Sequence, residues 1–400
     1  MKIKVLLILF FSTFVFKSKA QEISVPEFGK GILNIQKKDS TFSMNFSARM
    51  QFLAISQWED QNGDLVNSES NFLVRRARLK FKGFAFSPKL QYKIEIGLSN
   101  RDIAGGSEFT NNTPRYILDA LVKWNFHENF WLWVGQTKLP GNRERVISSG
   151  DLSLVDRSLL NVNFNIDRDV GLQLRHHFKL SNSFIVREMF AFSQGEGRNV
   201  TTGNLGGYQY TGRIELLPFG TFQQNGDYSG VDFLREQNLK VAIGATYDFN
   251  NDAVKSRSNL GTYMKTDTGF HETNISTFFI DTMLKYKGFS FLGEYASRDA
   301  DNPIAKNADG SLTGDVVEIG NALNLQAGYL FTSNYEVTGR YTNINFNKNI
   351  TGKGLEEQFT LGVSKYIVGH KLKIQSDISY LSVNKGNDQL MCRLQFDVHF

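Results

Sequence analysis

Arg76, Arg78, Lys80 and Lys82 stand at every second position of one stretch, with Ala77, Leu79 and Phe81 between them. Period two places the cations on one face of an extended strand and the apolar residues on the other. Neighbouring charges on that face lie about 7 Å apart. A row of like charges repels itself unless acids pair with it or an anion visits it. One reading is an electrostatic track for anions in a water-filled passage. The other is a network of Arg/Lys–Asp/Glu pairs that braces a wall, with Glu95 and Asp119 as candidate partners. Arg49, Lys93, Arg175, Arg213 and Arg340 lie on other polar faces and extend the candidate track, but they are dispersed. Arg75 has the parity of the apolar face and is expected near a strand end, where its head can snorkel to water.

Other reactive residues form no comparable pattern. The six histidines, at 127, 176, 177, 271, 370 and 399, lack metal-ligand spacing, and His176 and His177 point to opposite faces of a strand. Cys392 is the single cysteine, which excludes an intramolecular disulfide. No phosphate-binding glycine loop is present, no motif supports a Ser–His pair, and the Asp/Asn-rich 299–309 reads as a solvated loop rather than a Ca²⁺ site. No cofactor, metal or nucleic-acid partner is expected, and no enzymatic activity.

The elements that position the cations are strands. With 41% hydrophobic and 21% charged residues the chain is not disordered, and 35 Gly beside 34 Phe and 14 Tyr suits twisted strands. Residues 1–20 (MKIKVLLILFFSTFVFKSKA) combine a basic start, a short apolar run and small residues before Gln21. That is the pattern of a cleaved export signal, too short to span a membrane comfortably. Lys2, Lys4, Lys17 and Lys19 all lie in it, so most of the formal charge of +5 leaves with it. Residues 21–40 read as a periplasmic lead-in, and 41–400 as one domain.

Alternation of apolar and polar residues recurs over sixteen stretches: 42–57, 72–86, 89–99, 115–126, 129–137, 168–178, 182–193, 208–217, 239–249, 276–287, 289–298, 320–331, 334–346, 357–367, 370–383 and 388–400. Tight links at 87–88, 127–128, 179–181, 288, 332–333 and 368–369 alternate with long ones at 58–71, 100–114, 138–167, 194–207, 250–275, 299–319 and 347–356. Short turns at one end and long loops at the other predict a transmembrane antiparallel up-and-down β-barrel. About sixteen strands leave a water-filled lumen. Segment 218–238 breaks the rule: parity asks for a short turn, so it is either an elaborated periplasmic segment or hides two more strands. Trp58, Trp124, Trp131 and Trp133 suit interfacial girdles. The chain closes on an alternating strand with Phe396, Val398 and Phe400 on its apolar face, which resembles the assembly signal read by the barrel-assembly machinery.

Segment 138–167 is a thirty-residue connection with Val146, Leu152, Leu154, Val155 and Leu159 spread through it. A loop in water has no need of them; a loop folded into the barrel does. Lys138, Arg143, Arg145 and Arg157 then add positive charge at a constriction, tempered by Glu144, Asp151 and Asp156.

R-R-A-R-L at 75–79 and G-Q-T-K-L-P…S-S-G-D-L-S-L-V-D-R-S at 135–158 resemble the phosphate-selective porin O and P family, most strongly across 72–180. By position, Arg75, Arg76 and Arg78 match its Arg-Arg-x-Arg signature. The resemblance implies a sixteen-stranded barrel, usually a trimer, that passes anions through a constriction lined by Arg and Lys. The dense arginine ladder of the phosphate-specific members is absent beyond the 76–82 row. The expected function is therefore passive diffusion of small anions, phosphate or polyphosphate among them, across the outer membrane of a Gram-negative bacterium. Outer-membrane lipid and small anionic solutes are the expected partners, in a homotrimer. A general or sugar porin with bracing charges is the alternative, and a barrel-type lipid hydrolase the second.

Overall fold

The computed structural model describes residues 22–23, 27–384 and 386–400. The export segment expected at 1–20 lies outside the described residues. Sixteen antiparallel strands form the wall: β1 (Phe42–Gln61), β2 (Asp64–Ala85), β3 (Leu90–Gly97), β4 (Ile117–His127), β5 (Phe130–Lys138), β6 (Arg168–Lys179), β7 (Ile185–Ser193) and β8 (Gln209–Leu217) make one half. The other half is β9 (Lys240–Ala253), β10 (Thr273–Tyr286), β11 (Phe289–Ala300), β12 (Gly320–Leu330), β13 (Tyr335–Phe346), β14 (Leu355–Val368), β15 (Leu372–Val383) and β16 (Asp388–His399). Each strand pairs with the next, and β16 pairs with β1 from Asp388↔Asp60 to His399↔Arg49. Closure leaves no open backbone edge, which a lipid surround demands.

Period two sorts the side chains. Val122, Trp124, Leu172, Leu174, Ile243, Tyr247 and Leu361 are exposed on the outside. Gln51, Glu215, Asp248, Asn324, Thr342, Lys373 and Asp397 face inward and are each 0% exposed. Buried polar groups of this kind require partners: neighbouring strands supply some, as Asp397 does for Gln51 at 2.7 Å, and chain folded inside the barrel supplies others, as Leu152 O does for Lys373 at 3.0 Å.

Two stretches, 58–71 and the lead-in, differ from the sequence-based expectation, and 218–238 does not hide the two further strands of its alternative reading. The stretch 58–71 is no long loop: β1 and β2 run on as a hairpin to Asn62-Gly63, whose φ of 58° and 96° fit a two-residue turn with both central residues left-handed. Segment 218–238 contains no strand, only a 3₁₀ turn at Gln223–Tyr228. The lead-in carries a strand, Leu33–Gln36, paired with Ser43–Phe46 of β1. It takes over the edge of β1 just where β16 stops at Arg49. Beside this seam Phe28 meets Phe400 edge-on at 6.4 Å, and the Phe400 amide donates to the Ala48 carbonyl at 2.9 Å.

A chain begun at residue 38 loses that seam strand and bares four residues of the β1 edge. We expect it to fold but to be less stable by a few kcal/mol, at about 1 kcal/mol per lost ladder bond. The temperature at which the folded gel band converts to the unfolded one measures this; an unchanged temperature contradicts it.

Candidate functional site

The cation row on β2 divides into two pairs. Arg76 donates to Gln51 Oε1 at 2.6 Å and to Asp156 Oδ1 at 3.4 Å. Arg78 grips Asp102 through Nε and Nη2 at 2.8 and 2.6 Å and reaches Glu95 at 3.2 Å. Lys80 and Lys82 make no hydrogen bond or ion pair with the described residues. They line two lumenal cavities at the tight-turn end. One, of about 720 Å³, adds Asn45, Tyr92, Lys93 and Lys123; the other, of about 580 Å³, adds Arg49, Arg78, Asp151, Lys371 and His399. Lys82 also stands opposite Lys93 in the ladder.

Arg75 does not face lipid. Gln51 pairs with Arg76 and Phe52 with Val74, so Arg75 is the extra residue of a β-bulge. A bulge re-aims one side chain, and here it turns Arg75 inward to 2% exposure, with Nε 3.3 Å from Asp156 Oδ2. Arg393 approaches the same carboxylate at 3.6 Å. Asp156 thus collects Arg75, Arg76 and Arg393. Burial pushes its carboxyl up, but those three guanidiniums outweigh burial and hold it well below the ordinary carboxylate range.

Asp156 belongs to segment 139–167, which lies inside the barrel. Its first helical turn, Arg143–Val146, rests on the β8–β11 wall: Arg143 meets Asp281 at 2.8 Å and Glu215 at 3.2 Å, and the Glu144 amide donates to Glu294 at 2.6 Å. The segment then crosses to the opposite wall. There Ser149 accepts from Arg49 at 2.8 Å, Leu152 O from Lys373 at 3.0 Å, Ser153 O from Ser364 at 2.9 Å and Asp156 O from Arg340 at 2.8 Å. Ser158 caps the helix Leu159–Phe164 by accepting from the Asn161 amide at 3.2 Å. Leu160, Phe164 and Ile166 pack on inward Phe279, Ala296, Ala322, Ile344 and Phe346.

The four cations expected to add positive charge at the constriction are all engaged. Lys138 donates to the carbonyls of Arg145, Val146 and Ile147 at 2.7–3.2 Å. Arg143 is 0% exposed, Arg145 pairs with Asp167, and Arg157 donates to the Glu144 carbonyl at 2.9 Å. The dispersed wall cations are held as well: Arg49 by Asp397 at 3.0 Å, Lys93 by Asp119 at 2.6 Å, Arg213 by Asp281 at 2.6 Å, and Arg340 lies 3.7 Å from Glu144. Arg175 is held by Gln173 and by the Trp133 ring instead.

Segment 218–238 folds into the barrel from the other end and meets the first one. The Gly230 amide donates to Asp151 O at 2.8 Å, and a Cβ on Gly230 would lie 2.8 Å from Ser153 Oγ, so only glycine permits this approach. Asp227 pairs with Arg187, Asp232 accepts from the Gly288 amide at 2.8 Å, and Val231 packs with Leu330 and Tyr366. Ser229 and His370 lie 3.0 Å apart, but His370 Nδ1 is buried without a partner among the described residues, so none of their acids orients the ring as a catalytic pair requires. No cluster of three or more metal-ligating side chains exists among the described residues. The two segments fill the β8–β16 side, while the lysine cavities lie against β1–β4.

Sequence reasoning missed Trp133 as a lumenal residue. Trp131 and Trp133 are not girdle residues: Trp133 faces inward between Lys123 and Arg175, and Trp131 shares its face.

A closed sixteen-strand barrel with an apolar outside, a polar inside and chain folded across its lumen defines an outer-membrane porin. Solved porins share this fold at low identity. An anion-selective porin from Comamonas acidovorans is 12% identical at a TM-score of 0.55, with 90% of this chain and 100% of that one covered. The Salmonella typhi OmpF complex with daunomycin is 13% identical at a TM-score of 0.56, covering 90% and 99%. An uncharacterized protein of Aquifex aeolicus (strain VF5) is 24% identical over 366 residues, 85% of this chain and 83% of its own. The chain belongs to the phosphate-selective porin O and P family, whose sequence profile matches residues 54–391.

Asp156→Asn leaves Arg75 and Arg76 side by side without an acid, and Arg393 with Asp377 alone. We expect a loss of about 3 kcal/mol of stability, the scale of breaking a buried pair, read from urea unfolding; a change below 1 kcal/mol would assign the cluster no structural weight. The lowered carboxyl gives stability above the unfolded value near 4 that is lost only as pH falls through the folded value. Channel conductance should therefore not change between about pH 8 and pH 5 on this account.

Proposed function

We propose that this porin passes small anions, phosphate and polyphosphate among them, along the β1–β4 side of its lumen. The observation that carries the reading is the contrast within one strand. Arg76 and Arg78 are in contact with acids; Lys80 and Lys82, toward the periplasmic end, have no acid at ion-pair distance among the described residues, although Glu95 stands across the ladder from Lys80. Lysines held in no close ion pair and set beside water-filled space raise the local concentration of anions. Arg76, Arg78 and the cations of 139–167 then brace the lumen, and segment 139–167 narrows it. The bracing half of the alternative thus holds for the arginines, while the free lysines favour anion preference over unselective diffusion.

We further propose a homotrimer in the outer membrane, exported through segment 1–20 and assembled through Phe396, Val398 and Phe400. A trimer form is described for OmpT of Vibrio cholerae, whose fold this chain shares at 11% identity and a TM-score of 0.50, with 89% and 99% of the chains covered.

The test is the reversal potential of the purified barrel in a KCl gradient across a planar bilayer. We expect anion preference. Lys80→Gln with Lys82→Gln should cut the anion/cation permeability ratio severalfold, at roughly 1 kcal/mol per charge in a wet lumen. Arg78→Gln should change the ratio little and destabilise the barrel instead, since it strands Asp102 and leaves Glu95 to Lys93 alone. Cation preference of the wild-type protein refutes the proposal.

A further inference from the structure

We infer that Trp133, Lys123 and Arg175 form a resting station for a multiply charged oxyanion, in which an indole takes the place that a carboxylate holds beside most other lumenal cations. This rests on the anion-passing reading above and locates one step of it.

Trp133 lies in the middle of three neighbouring strands. Its ladder partners are Lys123 on β4 and Gln173 on β6, and Arg175 stands two residues along β6. Lys123 Nζ lies 3.9 Å and Arg175 Cζ 3.8 Å from the ring centroid. Lys123 comes from the strand on one side and Arg175 from the strand on the other. The hydrogen bonds of Arg175 go to Gln173 Oε1, from Nε at 3.2 Å and Nη2 at 2.8 Å. Neither cation has a carboxylate at ion-pair distance among the described residues. Trp133 Nε1 is buried and without a hydrogen-bond partner.

This pattern is unlike the rest of the wall. Arg49, Arg78, Lys93, Arg213 and Arg393 each meet an acid at 3.2 Å or less. An acid fixes a cation and cancels its charge. A π face fixes a cation and leaves its charge in place. Two positioned, uncancelled charges attract a divalent oxyanion about twice as strongly as chloride, because Coulomb energy scales with ligand charge.

Position fits the role. Lys123 lines the cavity of about 720 Å³ that holds Lys80 and Lys82, while Arg175 and Trp131 line a separate one of about 750 Å³. Trp133 stands between the two, so an anion drawn in by the lysines meets the station next.

The probe is inorganic phosphate, added as a blocker of KCl current through the purified full-length barrel in a planar bilayer. Wild type should be anion-selective and blocked by phosphate. Trp133→Glu pairs both cations and should raise the half-blocking phosphate concentration about tenfold; Trp133→Leu, which frees both from the ring, should raise it severalfold. If either variant fails to give a folded, heat-modifiable band, Lys123→Gln with Arg175→Gln is measured in its place and should likewise raise the half-blocking concentration. Wild-type block in these variants, or an anion-selective wild type that phosphate does not block, overturns the station and leaves the anion reading standing. A wild type without anion preference overturns that reading itself.

Discussion

The lumen is organised around one carboxylate. Asp156 sits on chain that has left the wall, yet Arg75, Arg76 and Arg393 reach it from β2 and β16. Like-charged arginines at that spacing repel one another, and a shared acid turns repulsion into attachment. Through that attachment, and the carbonyls that accept from Lys373, Ser364 and Arg340, segment 139–167 is fastened to the wall opposite its point of departure. The β-bulge at Arg75 is what brings two consecutive arginines to the acid, and an unbulged strand would send one of them into lipid.

A filled side and an open side follow from that attachment. Buried cations demand acids, so Arg143, Arg187 and Arg213 gather Glu215 and Asp281 of the β8–β10 wall and Asp227 of segment 218–238. Segment 218–238 completes that side from the tight-turn end and touches the first segment at Gly230. No such demand acts at Lys80 and Lys82, which border water-filled space and tolerate being unpaired. Charge placement, rather than total charge, separates bracing residues from those free to meet a solute.

Much of this was legible in the sequence. Alternation and connection lengths located all sixteen strands, because lipid on one side and polar surroundings on the other impose a strict period of two. Leu152, Leu154 and Val155 marked 138–167 as inward-folding, since water gives apolar side chains no reason to be there. The misses have physical causes. Parity counting assumes an unbroken ladder, so it placed Arg75 outside. The polar residues flanking Asn62-Gly63 read as loop although the dipeptide itself is a hairpin signal. Trp133 suits a girdle as well as the lumen, because an aromatic on a strand is ambiguous until the cations across from it are known. The pairing of Asp227 with Arg143 and Arg187 joins residues far apart in the chain, and no local pattern announces it.

The central claim is that unpaired lysines, and not the arginine clusters, are where anions meet this lumen. A crystal structure of the barrel grown in bromide, with anomalous scattering used to locate the halide, tests it directly. The account predicts bromide beside Lys80, Lys82 and Lys123 and none around Asp156 or Arg143. Bromide at Arg76 and Arg78, with the lysines bare, would contradict it.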